Sequence, residues 1–166
     1  EINYIYDLTS TDDGQGTVSY SATVKPDWLE IDTQQGILSG VPQNSDVGES
    51  SVIVVVEDGN GGTDSQSFTI NVINTNDPPT IISSTITTAR EDSLYLYDVN
   101  AQDPDNDTLV YSLETNPAGM TINSESGLIQ WIPDNSNVGV LISVTVKVDD
   151  GNDENAIQSW TIDVSN

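Results

Sequence analysis

The residues with the most evident chemistry are three carboxylates at alternate positions, Asp103, Asp105 and Asp107, in the run Asp103-Pro104-Asp105-Asn106-Asp107. Like charges so placed repel unless something positive sits between them. The chain has 27 acidic residues and only 3 basic ones. With no His and no Cys, zinc fingers, haem ligation, iron–sulfur clusters, catalytic thiols and Ser-His-Asp relays are excluded. What remains is oxygen: carboxylates, amide carbonyls and hydroxyls, the donors that hard cations such as calcium prefer. In an EF-hand reading, Asp103, Asp105, Asp107 and Glu114 would take loop positions 1, 3, 5 and 12. The glycine required for the sharp turn is missing, because Thr108 stands there. Leu109, Tyr111 and Leu113 then alternate as a strand, with no flanking helix. The run is read as a non-helical calcium loop, with a solvated acidic turn as the plain alternative.

The net charge of -24 also excludes partners. Nucleic acid is recognised through Lys and Arg, and anionic membrane surfaces attract the same residues. No apolar run approaches the ~18–20 residues of a membrane-spanning helix. Hydrophobic residues make up 35% of the chain, so each core is expected to be modest.

The strands that must hold this loop come in two sets. Pro26-Asp27-Trp28-Leu29-Glu30-Ile31-Asp32 resembles Pro117-Ala118-Gly119-Met120-Thr121-Ile122-Asn123. Gly36-Ile37-Leu38-Ser39-Gly40-Val41-Pro42 likewise resembles Gly127-Leu128-Ile129-Gln130-Trp131-Ile132-Pro133. The offset is 91 through Gly48 and Gly139 and becomes 92 at Asp58-Gly59 and Asp150-Gly151. The chain is a tandem repeat. Its join is Asn74-Thr75-Asn76-Asp77-Pro78-Pro79, where two prolines stiffen the chain, giving modules 1–77 and 78–166. Glu1 aligns with Asp92, so the first copy has no counterpart of the strand-like stretch Ile81–Ala89. Either the chain begins inside a module or the first copy does without an edge strand. The first sandwich is therefore expected to show an open sheet edge, a place for self-association. Within each copy the apolar period is two, and turn signals recur every 8–12 residues, as in an antiparallel β-sandwich.

The ordered set Pro-x-x-Leu/Met-x-Ile-Asp/Asn, Gly-x-Leu/Ile-x-Gly/Trp-x-Pro, Val-Gly and Asp-Gly resembles the bacterial cadherin-like repeats. These include the dystroglycan-type cadherin modules and the closely related immunoglobulin-like modules. The resemblance covers nearly the whole chain. It implies an all-β protein of two tandem antiparallel Greek-key β-sandwiches of about seven strands each, the first short of its leading strand. It further implies an extracellular or cell-surface setting, a role in adhesion or as a calcium-rigidified spacer, and other such modules or surface polysaccharide as partners. Calcium (Ca2+) would sit at the joint. Carried over from the family, its ligands would be Asn76 and Asp77 of the linker, Asp103 and Asp105, Glu91 before the first long strand, and Asp150, with Asp149 as a register alternative. The foot of the first module would add Asp46 or Glu49. Asn74 stands where an Asp is usual, Pro78 replaces a polar residue, and the Leu-Asp-Arg-Glu of animal cadherins is absent, which implies fewer or weaker ions.

The aromatic residues raise a different reading, a carbohydrate-binding accessory module of a secreted polysaccharide-active protein, with sugars stacked on Trp28 and Trp131. Against it, Trp28 aligns with Gly119 and Trp131 with Gly40, as if each indole fills from its own strand a space that both modules share. Tyr4, Tyr6, Tyr95, Tyr97 and Trp160 share the parity of core residues. No catalytic role is expected: carboxylates are abundant, but two small sandwiches offer no evident cleft and no His base.

Overall fold

The period-two alternation becomes burial. Along Asn155–Ser165, Trp160, Ile162 and Val164 are buried and the residues between them are exposed. A computed structural model describes residues 2–166 and divides the chain into two units, Glu1–Thr75 and Asn76–Asn166. That boundary falls two residues before the one expected and assigns Asn76 and Asp77 to the second unit.

The first unit has strands β1 (Tyr4–Asp7), β2 (Ser19–Val24), β3 (Glu30–Asp32), β4 (Ile37–Gly40), β5 (Gly48–Glu57) and β6 (Thr63–Val72). They form two antiparallel sheets, β1-β4-β3 and β2-β5-β6. The second unit has β7 (Thr80–Ile81), β8 (Thr88–Arg90), β9 (Tyr95–Asp98), β10 (Ala101–Gln102), β11 (Val110–Thr115), β12 (Thr121–Ile122), β13 (Leu128–Trp131), β14 (Leu141–Asp149) and β15 (Asn155–Ser165). Its main sheets are β12-β13-β9 and β11-β14-β15-β8, and β7 pairs with β10. In the first unit the chain crosses between sheets at β1–β2, β2–β3 and β4–β5 and stays in one sheet for the hairpins β3–β4 and β5–β6; the second unit repeats these hairpins as β12–β13 and β14–β15, a pattern of crossovers like that of a Greek key.

The units repeat each other pair for pair. Tyr6 lies opposite Leu38 and Tyr97 opposite Ile129; Val52 lies opposite Phe68 and Val144 opposite Trp160. Gly36 and Gly127 close equivalent turns at φ +72 and +75. A Cβ at either would come 3.0 or 3.1 Å from the ring of Tyr20 or Tyr111, so these positions need glycine for space as well as for conformation. The second unit has the larger core, with Tyr95, Tyr97, Val99, Ile129 and Trp131 facing Val144, Val146, Val148, Trp160, Ile162 and Val164. The expected difference at the leading strand is present. β8 adds to β15 in parallel through Thr88, Ala89 and Arg90, whereas β6 ends its sheet among the described residues.

The two indoles fill equivalent space from different strands. Trp28 meets Tyr4 edge-on at 6.0 Å between ring centroids, and Trp131 meets the equivalent Tyr95 at 6.4 Å. A Cβ on Gly40 would lie 2.1 Å from the Trp28 carbonyl oxygen and 3.1 Å from its indole ring, so both the backbone of residue 28 and the indole in the place of Trp131 need the glycine. Trp131 is 3% exposed. Trp28 is only half-buried, less deep than its sequence partner. Replacing Trp131 with Ala should cost the second unit about 3–5 kcal/mol, as large core truncations do. Gly40→Ala should cost the first unit about 1–3 kcal/mol through overpacking. Denaturant unfolding measures both, and costs under ~0.5 kcal/mol, the scale of a neutral surface change, would refute the exchange.

Candidate metal centre

The acidic run turns because each residue is suited to its place. Pro104 supplies the fixed φ favoured at the second position of a turn, closed by the Asn106 N–H donating to the Asp103 carbonyl at 3.3 Å. Asn106 takes φ +62, a region asparagine tolerates better than most residues. The Asp103 Oδ1 then accepts from the N–H groups of Asp105 (2.8 Å) and Asp107 (3.1 Å). The loop after β14 folds the same way around Asp150, whose Oδ1 accepts from Asn152 N–H (2.7 Å) and Glu154 N–H (3.2 Å).

These two loops bring one carboxylate oxygen each from Asp103, Asp107 and Asp150 within 4.8 Å of one another. Oxygens bound to one calcium at 2.3–2.6 Å lie at most about 4.6–5.2 Å apart, so a single ion could touch all three. Asp150 is 3% exposed. Burial pushes its carboxyl up, but hydrogen bonds from the Asn76 side chain and from the N–H groups of Asn152 and Glu154 outweigh it and hold the group below the ordinary aspartate value. The other Asp103 oxygen, Oδ2, is buried and has no hydrogen-bond partner among the described residues. Buried acceptors are seldom left so. All the donors are oxygen, as a hard cation requires.

Asn76 and Asp77 are tied to the same end of the unit. The Asn76 side chain donates to Asp150 Oδ2 at 2.8 Å and to the Asn152 carbonyl at 3.3 Å. The Asp77 N–H donates to Asp105 Oδ2 at 2.7 Å, so Asp105 holds the linker while Asp103 and Asp107 face Asp150. Asn152 also donates to Asp107 Oδ2 at 2.8 Å. Asp107 belongs to the acidic run singled out in the sequence but not to the ligand set that the family resemblance implies, and Asn152 belongs to neither. The signal for Asn152 was its place two residues after Asp150 in a hairpin turn.

Each of the other expected ligands has its own local surroundings. The Glu91 N–H donates to the Ser165 carbonyl, at the end of β15 away from Asp150. Ten residue steps of strand, about 33 Å at 3.3 Å each, separate the two ends, so the structure does not bring Glu91 to this cluster. Asp149 forms an ion pair with Lys147 at 2.6 Å, which leaves Asp150 as the residue in register. Asp46 belongs to the first unit, where its Oδ2 accepts from the Gln43 N–H at 2.8 Å and caps the 3-10 turn Asn44–Asp46. Glu49 lies exposed in β5 opposite Asn71. The aromatic candidates Trp28 and Trp131 belong to the packing described above.

The first unit supplies an internal control. Asp12 and Asp58 stand where the second unit has Asp103 and Asp150, but Gly16 replaces Asp107. A Cβ on Gly16 would lie 2.0 Å from the Asp58 carbonyl oxygen, so this loop packs too close to its neighbour to carry a third carboxylate.

Residues 1–73 and 78–165 each match the family described as "Putative Ig domain"; the chain belongs to that family. It is 29% identical over 148 residues to a serine-rich adhesin for platelets of Staphylococcus aureus (strain MRSA252), an alignment covering 86% of this chain and 10% of that protein. Against the same-named protein of strain MSSA476 the chain spans 6% of the length. Among solved structures it resembles human Protocadherin-24 EC1-2, with TM-score 0.55, 16% identity, and 97% of this chain and 87% of that one covered. It also resembles mouse Cadherin-23 EC22-24, with TM-score 0.59, 13% identity and coverage of 96% and 58%. At these identities the likeness is one of fold. No helix is long and apolar enough to cross a membrane among the described residues.

The lowered Asp150 value has a pH consequence. A carboxylate stabilised by folding contributes in full above its unfolded value, ordinarily ~3.9 for aspartate, and loses that contribution as pH falls through the lower folded value. The Asp150 carboxyl carbon should therefore titrate below the ordinary aspartate midpoint in an NMR experiment without metal. A midpoint at or above the ordinary value would refute the hydrogen-bond account.

Proposed function

We propose that this chain is a calcium-binding pair of immunoglobulin-like, cadherin-like modules in an extracellular or cell-surface protein, acting in adhesion or as a spacer stiffened by the ion. The observation that carries the reading is the buried, unpartnered Oδ2 of Asp103 beside two further carboxylates. Asp103, Asp107 and Asp150 would hold the ion. Asp105 and Asn76 would hold the linker residues against it. Calcium suits this irregular set of oxygens, because it accepts 6–8 ligands at varied angles, whereas magnesium demands a near-ideal octahedron. The adhesin relative supports a surface setting and a macromolecular partner, either further modules of this kind or surface polysaccharide, and we assign the chain no catalytic role. The sugar-platform reading is not favoured, since Trp131 is buried and both indoles pack against tyrosines of their own unit.

Calcium binding is expected with a dissociation constant of about 10⁻⁴–10⁻³ M, as in other extracellular modules. At ~100-fold excess of free ion over that constant, the second unit should gain about 2.7 kcal/mol of stability. The Asp103→Ala/Asp105→Ala double variant should show neither heat in a calorimetric titration nor the gain in unfolding midpoint. Equal binding by wild type and double variant, or no heat from either, would overturn the assignment.

A further inference from the structure

The chain has one Asn-Gly step, Asn60-Gly61, and it lies in the turn of the hairpin that joins β5 and β6. That turn runs Asp58-Gly59-Asn60-Gly61-Gly62, and its counterpart between β14 and β15 is Asp150-Gly151-Asn152-Asp153-Glu154. The two backbones are held alike. Asp58 Oδ1 accepts from the N–H groups of Asn60 (2.7 Å) and Gly62 (2.9 Å), as Asp150 Oδ1 does from those of Asn152 and Glu154.

The asparagine side chains are held differently. Asn152 Nδ2 donates to Asp107 Oδ2 at 2.8 Å, which ties its amide to the neighbouring loop. In the first unit Gly16 stands in the place of Asp107 and offers no carboxylate. The Asn60 amide reaches over it instead, since a Cβ on Gly16 would lie 2.7 Å from Asn60 Nδ2. The residue that follows differs as well. Asn60, Gly61 and Gly62 are exposed, Gly61 takes φ +100, and a Cβ built on it would meet nothing within 4 Å. No side chain therefore obstructs the Gly61 nitrogen, and two successive glycines leave the turn free to rotate. In the second unit Asp153, at φ 75, puts a Cβ beside the equivalent nitrogen.

We propose that Asn60 is a site of spontaneous modification, at which the β5–β6 turn converts its own amide to a carboxylate. Solvent base removes the Gly61 amide proton, and the Gly61 nitrogen attacks Cγ of Asn60. The N–Cγ bond forms and the Cγ–Nδ2 bond breaks. Ammonia leaves after taking a proton from water, and a cyclic imide remains. Water opens the ring at either carbonyl, giving aspartate or its β-linked isomer. One water is taken up and one ammonia released, with no oxidation or reduction. The product places a carboxylate over Gly16, in the turn that already holds Asp58. Residues 1–77 carry thirteen acids against Lys25 alone, and Lys25 is paired with Glu30 at 3.6 Å, so the new charge finds no cation. The β-linked form also adds a methylene to the backbone between β5 and β6. The reaction needs no enzyme, and the first unit accumulates the change with time and with rising pH.

The test holds the whole folded chain in mildly alkaline buffer and follows each asparagine by peptide mass spectrometry, with sites assigned by fragmentation. Residue 60 should gain the mass of an amide-to-acid exchange about tenfold or more faster than residue 152, a barrier difference of about 1.4 kcal/mol or more. In the Asn60→Gln variant, whose longer side chain disfavours closure of the ring, conversion at residue 60 should be lost. Unfolding the chain in urea should speed conversion at Asn152, whose amide is released from Asp107, by a larger factor than at Asn60. No conversion at residue 60 in the folded chain, equal rates at residues 60 and 152, an undiminished rate in the Gln variant, or equal acceleration of both sites by urea would each overturn the proposal.

Discussion

Carboxylates crowded beyond what the chain's own cations can neutralise are the constraint on which the second unit's head depends. Three oxygens from Asp103, Asp107 and Asp150 lie within 4.8 Å of one another, and charges that close repel even through water. Of the unit's two basic residues, Lys147 is committed to Asp149, and Arg90 pairs with Ser165 at the opposite end of β15. The arrangement is held instead by amide donors. Asn76, Asn152 and the backbone N–H groups of the two loops satisfy most of the carboxylate oxygens and keep Asp150 ionised while buried. The buried oxygen they leave is Oδ2 of Asp103, and on that atom rests our proposal of a cation site in place of a solvated acidic turn.

The sandwich places those loops with little adjustment. β14 and β15 pair over their whole length, which fixes the Asp150 loop, and β11 runs beside β14, which brings the loop ahead of it alongside. The first unit uses the same pairings and yet forms no such cluster among the described residues. The difference resides in side chains: a glycine where Asp107 would stand, closed down on the Asp58 backbone. One scaffold thus carries a charged head in one copy and a plain turn in the other.

Much of this was legible in the sequence. The repeat offset and the period-two alternation pointed to two sandwiches, because backbone pairing and burial follow directly from those patterns. The exchange of Trp28 with Gly119 and of Gly40 with Trp131 could be read as shared space, and the packing on Tyr4 and Tyr95 accounts for it. Which carboxylates converge was less legible. Asp103 stands out by its place among alternating carboxylates and Asp150 by likeness to a family, but Glu91 was assigned to the wrong end of the unit, since its neighbours in sequence do not reveal that β8 runs parallel to β15. Asn152 escaped notice because a neutral amide in a turn looks like loop composition until its two partners are placed beside it.

The most direct test of the cation site is anomalous scattering from crystals of this chain grown in calcium. The account requires a peak among Asp103, Asp107 and Asp150, with carboxylate oxygens at about 2.3–2.6 Å and Oδ2 of Asp103 among the ligands. Saturating calcium with no peak there, or a peak only at some other part of the chain, would contradict it.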